Sequence, residues 1–144
     1  MTSRNMPNIV LVYGLLGILP FLAPPALMLL GISSPILGSH FAAIYGALIL
    51  SFLGGARWGF EVANPQPRLA IVSLAMLPTL LGLSALLLPA GLRTIQLVAL
   101  AVLLLLHFAW DCRSSGLPAW YPRLRAILTT GATFGLLSEA ALIA

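Results

Sequence analysis

Charge is scarce in this sequence. Seven Lys or Arg and three Asp or Glu are all that 144 residues carry, where a soluble domain is about a quarter charged. So few charges cannot cover a water-facing surface. Lysine is absent, and the arginines behind the net charge of +4 are scattered, which excludes the clustered basic patch that a nucleic-acid partner needs. The single cysteine, Cys112, excludes an intrachain disulfide framework and a multi-cysteine metal site. Acids are rarer still. Glu61, Asp111 and Glu139 fall at different membrane depths, so they form no catalytic set. There is also no His-Glu-x-x-His, Gly-x-Ser-x-Gly, phosphate-loop or dinucleotide signature. The expectation is a non-enzymatic protein with no cofactor and no metal.

What remains is hydrocarbon. With 60% of residues apolar, the bilayer is the natural solvent, and the pattern predicts an all-α polytopic bundle of five transmembrane helices forming one domain. Between Arg4 and Arg57 there is no charge, room for two spans of about 20 residues. Gly31-Ile32-Ser33-Ser34-Pro35 turns the chain between a first span over about 9–30 and a second over about 39–58. Pro20 and Pro24-Pro25 should kink or break the first. Asn64-Pro65-Gln66-Pro67-Arg68 precedes a third span over about 69–88, interrupted by Pro78. Spans over about 94–110 and 126–143 complete the set. The first apolar run is longer than a signal-peptide core, and the short N-terminus lacks transit-peptide character, which favours the inner membrane of a bacterium.

Arginine also sets the orientation, because cations accumulate in short cytoplasmic loops. Arg4, Arg57, Arg68, Arg113, Arg123 and Arg125 fall on one side and Arg93 on the other. The N-terminus is therefore expected in the cytoplasm and the C-terminus opposite. Trp58, Trp110 and Trp120 fall on the same cytoplasmic boundary, where indole rings prefer to sit.

Three groups of residues stand out. In the second span Ala43, Ala47, Ser51, Gly55 and Gly59 recur every four positions, and in the fifth Gly131 and Gly135 do the same. Such stripes let helices approach closely, so the two are expected to pack on each other. Glu139 continues the glycine row and should face the interior, with Tyr45, His40 and Gln96 as candidate partners at similar depth. It could act as a proton-linked or ligand-binding acid, or serve a structural hydrogen bond. At the cytoplasmic boundary Arg57 and Glu61 are four apart, as are His107 and Asp111. With Trp58, Trp110 and Trp120 they form an interface cluster that could hold an anionic head group or simply solvate the helix ends. His40 belongs to the opposite leaflet from His107, which excludes a bis-histidine haem built on this pair.

Two of these stretches are familiar. Tyr45-Gly46-Ala47-Leu48-Ile49-Leu50-Ser51-Phe52-Leu53-Gly54-Gly55-Ala56-Arg57-Trp58-Gly59 and Pro118-Ala119-Trp120-Tyr121-Pro122-Arg123-Leu124-Arg125, with the opening Tyr13-Gly14-Leu15-Leu16-Gly17-Ile18-Leu19-Pro20-Phe21, resemble the domain-of-unknown-function family 3429. That family includes transmembrane protein 69, and its members often have His or Gln where Arg57 stands. The resemblance implies an inner-membrane protein of bacteria or mitochondria and brings no established activity. The reading that results is an accessory or assembly subunit packing against a larger membrane complex, with the lipid bilayer and other membrane subunits as partners. The alternative is a small carrier or lipid- or quinone-binding protein using Glu139.

Overall fold

Proline decides where the helical rods break. The computed structural model describes residues 5–144, so Arg4 lies outside it. Its elements are α1 (Asn8–Leu16), α2 (Leu19–Leu29), α3 (Pro35–Val62), α4 (Leu69–Leu74), α5 (Leu77–Leu86), a 3₁₀ turn (Ala90–Leu92), α6 (Arg93–Arg113) and α7 (Tyr121–Leu142), with no strand among the described residues. α1 and α2 make the first rod and α4 and α5 the third. α1 stops at Leu16, four residues before Pro20, and α4 at Leu74, four before Pro78. Those are the carbonyls that each proline, lacking an N–H, cannot serve. Pro24 and Pro25, expected to kink or break the rod, stay inside α2, where both are buried against neighbouring helices.

The broken backbone is then repaired from neighbouring helices. Phe21 N–H turns back to Ile18 O at 2.9 Å, leaving Gly17 O free for the Tyr45 hydroxyl, which donates to it at 3.0 Å. Phe21 O faces proline at both of the positions that could have served it, three and four residues on. It packs instead against Gly135, where an added Cβ would collide with the oxygen and lie 2.7 Å from the carbonyl carbon. Ala75 O at the second break rests on Gly54 in the same manner, 2.7 Å from where a Cβ would stand. In a bilayer, helix-breaking residues are tolerated only when neighbours close around the exposed polar groups.

α3 is the central rod. Ser34 caps it by accepting from Leu37 N–H, and Pro35 fits its first turn. Its small buried residues Ala42, Ala43, Gly46 and Ala47 let α2, α5, α6 and α7 crowd in. Leu50, Leu97, Leu100, Leu104, Leu136 and Phe21 fill the space between them. Four rods, Asn8–Leu29, Pro35–Val62, Leu69–Leu86 and Ala90–Arg113, are long and apolar enough to cross a membrane. α7 is as long at 22 residues but carries Arg123, Arg125 and Glu139. The fold is an all-α membrane bundle of five rods; each overlaps an expected span, with α3 and α7 starting four and five residues earlier than the expected 39 and 126.

The expected pairing of small-residue stripes does not occur. Gly131 takes Ile18 and Gly135 takes Phe21, both of the first rod. On α3, Ala47 faces Gly82 of the third rod and Ser51 bonds Thr79 at 3.0 Å, while Gly55 and Gly59 have nothing within 4 Å among the described residues. The physical reason at Gly135 is the prolines, because Phe21 O, which they leave without a helical donor, occupies the space of a Cβ; Gly131 instead makes room for the Ile18 side chain.

A candidate head-group site at the arginine-rich end

Four ionisable side chains converge where α3, α6 and α7 meet. Arg57 comes from the last turns of α3, His107 and Asp111 from one face of the last turns of α6, and Arg125 from the first turns of α7. All four are at least nine-tenths buried. Arg125 Nε donates to Asp111 Oδ2 at 2.8 Å, and Arg57 Nε lies 3.9 Å from Oδ1. His107 Nδ1 stands 3.4 Å from Oδ2 but makes no hydrogen bond there. Arg57 Nη2 donates to Ser114 Oγ at 2.7 Å, and its guanidinium sits 4.7 Å above the Trp110 ring. Trp110 is also edge-on to His107, with centroids 5.4 Å apart.

The charges do not balance. Two guanidiniums share one carboxylate, so with His107 neutral the cluster holds one surplus positive charge. Glu61 cannot help, because it is claimed elsewhere: Arg68 grips both its oxygens at 2.9 Å and donates its backbone N–H to Oε1 as well. This pair raises the Arg68 guanidinium above its ordinary pKa and closes the loop after α3. Several buried donors of the cluster have no partner among the described residues, namely Arg57 Nε and Nη1, Arg125 Nη2 and the hydroxyl of Thr129 one turn further along α7.

The opposite end is built differently. Arg93 bonds Gln96 Oε1 and reaches His40 Nδ1 at 3.2 Å, and Gln96 Nε2 donates to Ala85 O at 2.7 Å. Tyr45 is engaged by Gly17 O. None of these three touches Glu139, correcting the expected polar group. Glu139 is fully buried, neither of its oxygens has a partner among the described residues, and Oε1 lies 2.7 Å from where Gly38 would carry a Cβ.

Among relatives, a family model described as "Protein of unknown function (DUF3429)" matches residues 6–141. The chain belongs to this family. Within it, the DUF3429 chain is 36% identical over 142 residues to "Transmembrane protein 69" of Xenopus tropicalis, covering 94% of this chain and 55% of that protein. It is 44% identical over 64 residues to the protein of that name from Mus musculus, covering 44% of this chain and 26% of the relative. The chain thus spans about half, or less, of the length of the curated relatives it matches. No solved structure matches it. The resemblance read from its sequence segments is therefore correct, and the DUF3429 chain is an integral multi-pass membrane protein.

Of the residues expected at the cytoplasmic boundary, the DUF3429 fold brings together Arg57, His107, Trp110 and Asp111. Trp58 is exposed, Glu61 turns to Arg68, and Trp120 packs edge-on against Tyr121. The pairing of Arg57 with Glu61 is thus overturned, because Arg68 meets the carboxylate squarely through two nitrogens. Sequence reasoning missed Arg125 and Ser114. The signal for Arg125 was its place at the start of a span level with Asp111, hidden because it read as an ordinary topology arginine. Among the described residues no group of three metal-ligating side chains exists.

Proposed function

We propose that this DUF3429 protein is a non-enzymatic inner-membrane protein that binds a membrane amphiphile, a lipid or a quinone, at the buried arginine cluster. The cluster faces the cytoplasmic leaflet. One observation carries the reading: Arg57 and Arg125 are both buried and share the single carboxylate of Asp111. Burying an uncompensated cation costs several kcal/mol, which a bound acceptor-bearing head group would offset. The orientation rests on the arginine imbalance, in which Arg57, Arg68, Arg113, Arg123 and Arg125 stand at one end and Arg93 at the other. Glu139, the acid the alternative reading favoured, plays no part, since it is closed in at the far end.

The test is purification from native membranes in mild detergent, followed by mass spectrometry of the intact protein and of its organic extract. A retained amphiphile in near-stoichiometric amount is the expected result. A protein that carries none, and takes up neither lipid nor quinone when these are added, ends the proposal.

A second reading, an accessory or assembly subunit of a larger complex, is favoured by the open strip at Gly55 and Gly59 of α3. Small residues on a membrane-facing helix admit another helix at close range. The same purification addresses it, because a stable protein partner should then appear in fixed ratio, and a monomer in every detergent would rule it out.

A further inference from the structure

Two apolar grooves reach the arginine cluster from different faces of the bundle. One, of about 200 Å³, runs between α3, the third rod and α6 and is bounded by His107 and Trp110. The other, of about 180 Å³, runs between the first rod, α3 and α7, and its wall includes Arg125 and Thr129.

The second groove has a decided chemistry. Arg125 spends its Nε on Asp111, but its Nη2 has no partner among the described residues, and neither has the Thr129 hydroxyl. Both side chains are more than nine-tenths buried. They are four residues apart on α7 and so lie on one face, one turn from each other. Both unmet groups can donate, so what completes them is an acceptor. The surplus positive charge of the Arg57–Asp111–Arg125 cluster makes that acceptor an anion. Apart from these two residues and Tyr13 the lining is hydrocarbon, chiefly Ile18, Phe21, Ile49, Leu53, Leu104 and Leu128. Gly14 and Gly17 keep the wall by the first rod thin. An oxyanion at one end and an apolar channel along the rest describe an acidic lipid. The site's level agrees, because it lies at the arginine-rich end of the rods, where head groups sit and anionic lipids attract basic residues.

We propose that this groove binds an anionic phospholipid, with a phosphate oxygen accepting from Arg125 Nη2 and Thr129 Oγ1 and one acyl chain lying along the groove. The assignment rests on the amphiphile reading above and narrows it. A quinone, neutral and without an oxyanion, would leave the surplus charge unmet.

The test uses the full chain purified in mild detergent and titrated with phosphatidylglycerol, phosphatidylcholine or oleate, with binding read by native mass spectrometry. Phosphatidylglycerol is expected to bind at least about tenfold more tightly than phosphatidylcholine, because the choline ammonium cancels the net negative charge that the cluster's surplus cation attracts. Thr129→Val keeps the side chain's shape, leaves Asp111 paired, and should reduce affinity for both phospholipids about tenfold, since each presents a phosphate oxygen to the lost hydroxyl. Arg125→Gln should abolish the preference, and Thr129→Val keeps the question decidable if that variant misfolds. Equal affinity for the two phospholipids, an undiminished phosphatidylglycerol affinity in Thr129→Val, or oleate binding as strongly as phosphatidylglycerol would each overturn the assignment. Retention of a neutral quinone with no preference for anions would refute this proposal and leave the amphiphile reading standing. Failure to bind any amphiphile would refute both.

Discussion

Replacing Gly135 by alanine adds one methyl group, and the structure specifies where it goes. The new Cβ would strike Phe21 O and lie 2.7 Å from the carbonyl carbon and 2.9 Å from Phe21 Cβ. These are backbone or backbone-adjacent atoms, so no rotamer change relieves the overlap. α2 and α7 must separate, and Phe21, which is only 2% exposed, must leave its packed position. Overpacking of this kind costs about 1 to 3 kcal/mol, against which alanine recovers about 1 kcal/mol of helix propensity. Gly55→Ala is the matched control, because it lies in a helix with nothing within 4 Å of its Cβ and keeps the propensity gain alone. The two variants should therefore differ by roughly 1 to 3 kcal/mol, Gly135→Ala the less stable. The assay is helix content by circular dichroism during heating or titration with a denaturing detergent. Equal midpoints for the two alanine variants would refute the claim that the proline-freed carbonyl dictates this glycine.

Other perturbations follow from the polar groups. Glu139→Met should stabilise the fold by about 1 to 3 kcal/mol, raising the unfolding midpoint, since it removes a buried carboxyl that has no hydrogen-bond partner among the described residues; a destabilised variant would show that the acid is used. Asp111→Asn strips the anion from two buried guanidiniums and should cost about 3 to 5 kcal/mol. Glu61→Gln should cost clearly less than Asp111→Asn, because its partner Arg68 is largely exposed, and the same melts rank the two. Cys112 is exposed beside the cluster, so a membrane-impermeant maleimide should label it from the cytoplasmic face of sealed vesicles; labelling from the other face would invert the proposed orientation.

The rods were legible because a long apolar run admits few alternatives, and the loops because proline and glycine punctuate them. Where the first rod would break was legible only in part. Pro20 marked the region, yet Pro24 and Pro25 looked equally able to break it, and nothing local in the sequence says that neighbours will absorb their missing donors. The glycine partners were illegible for the same reason. Gly135 answers an oxygen 114 residues away in the chain, and spacing along α7 cannot name it. At the candidate site, i,i+4 spacing places His107 beside Asp111, at 3.4 Å and without a hydrogen bond, but it misassigned Glu61. A helical neighbour competes with a loop arginine that the chain folds back, and the loop residue offers better geometry. Arg125 shows the limit most clearly, since an arginine at a span end reads the same whether it faces water or is buried beside an aspartate.

The carbonyl that Pro24 and Pro25 leave bare has a consequence for biosynthesis. The first rod leaves the ribosome well before α7 is translated, so for that interval Phe21 O stands in lipid without a donor, at a cost of several kcal/mol. Arrival of the segment around Gly135 covers it. The first and fifth rods are thereby made interdependent, and the nascent bundle stays open at Phe21 until the segment around Gly135 has been inserted.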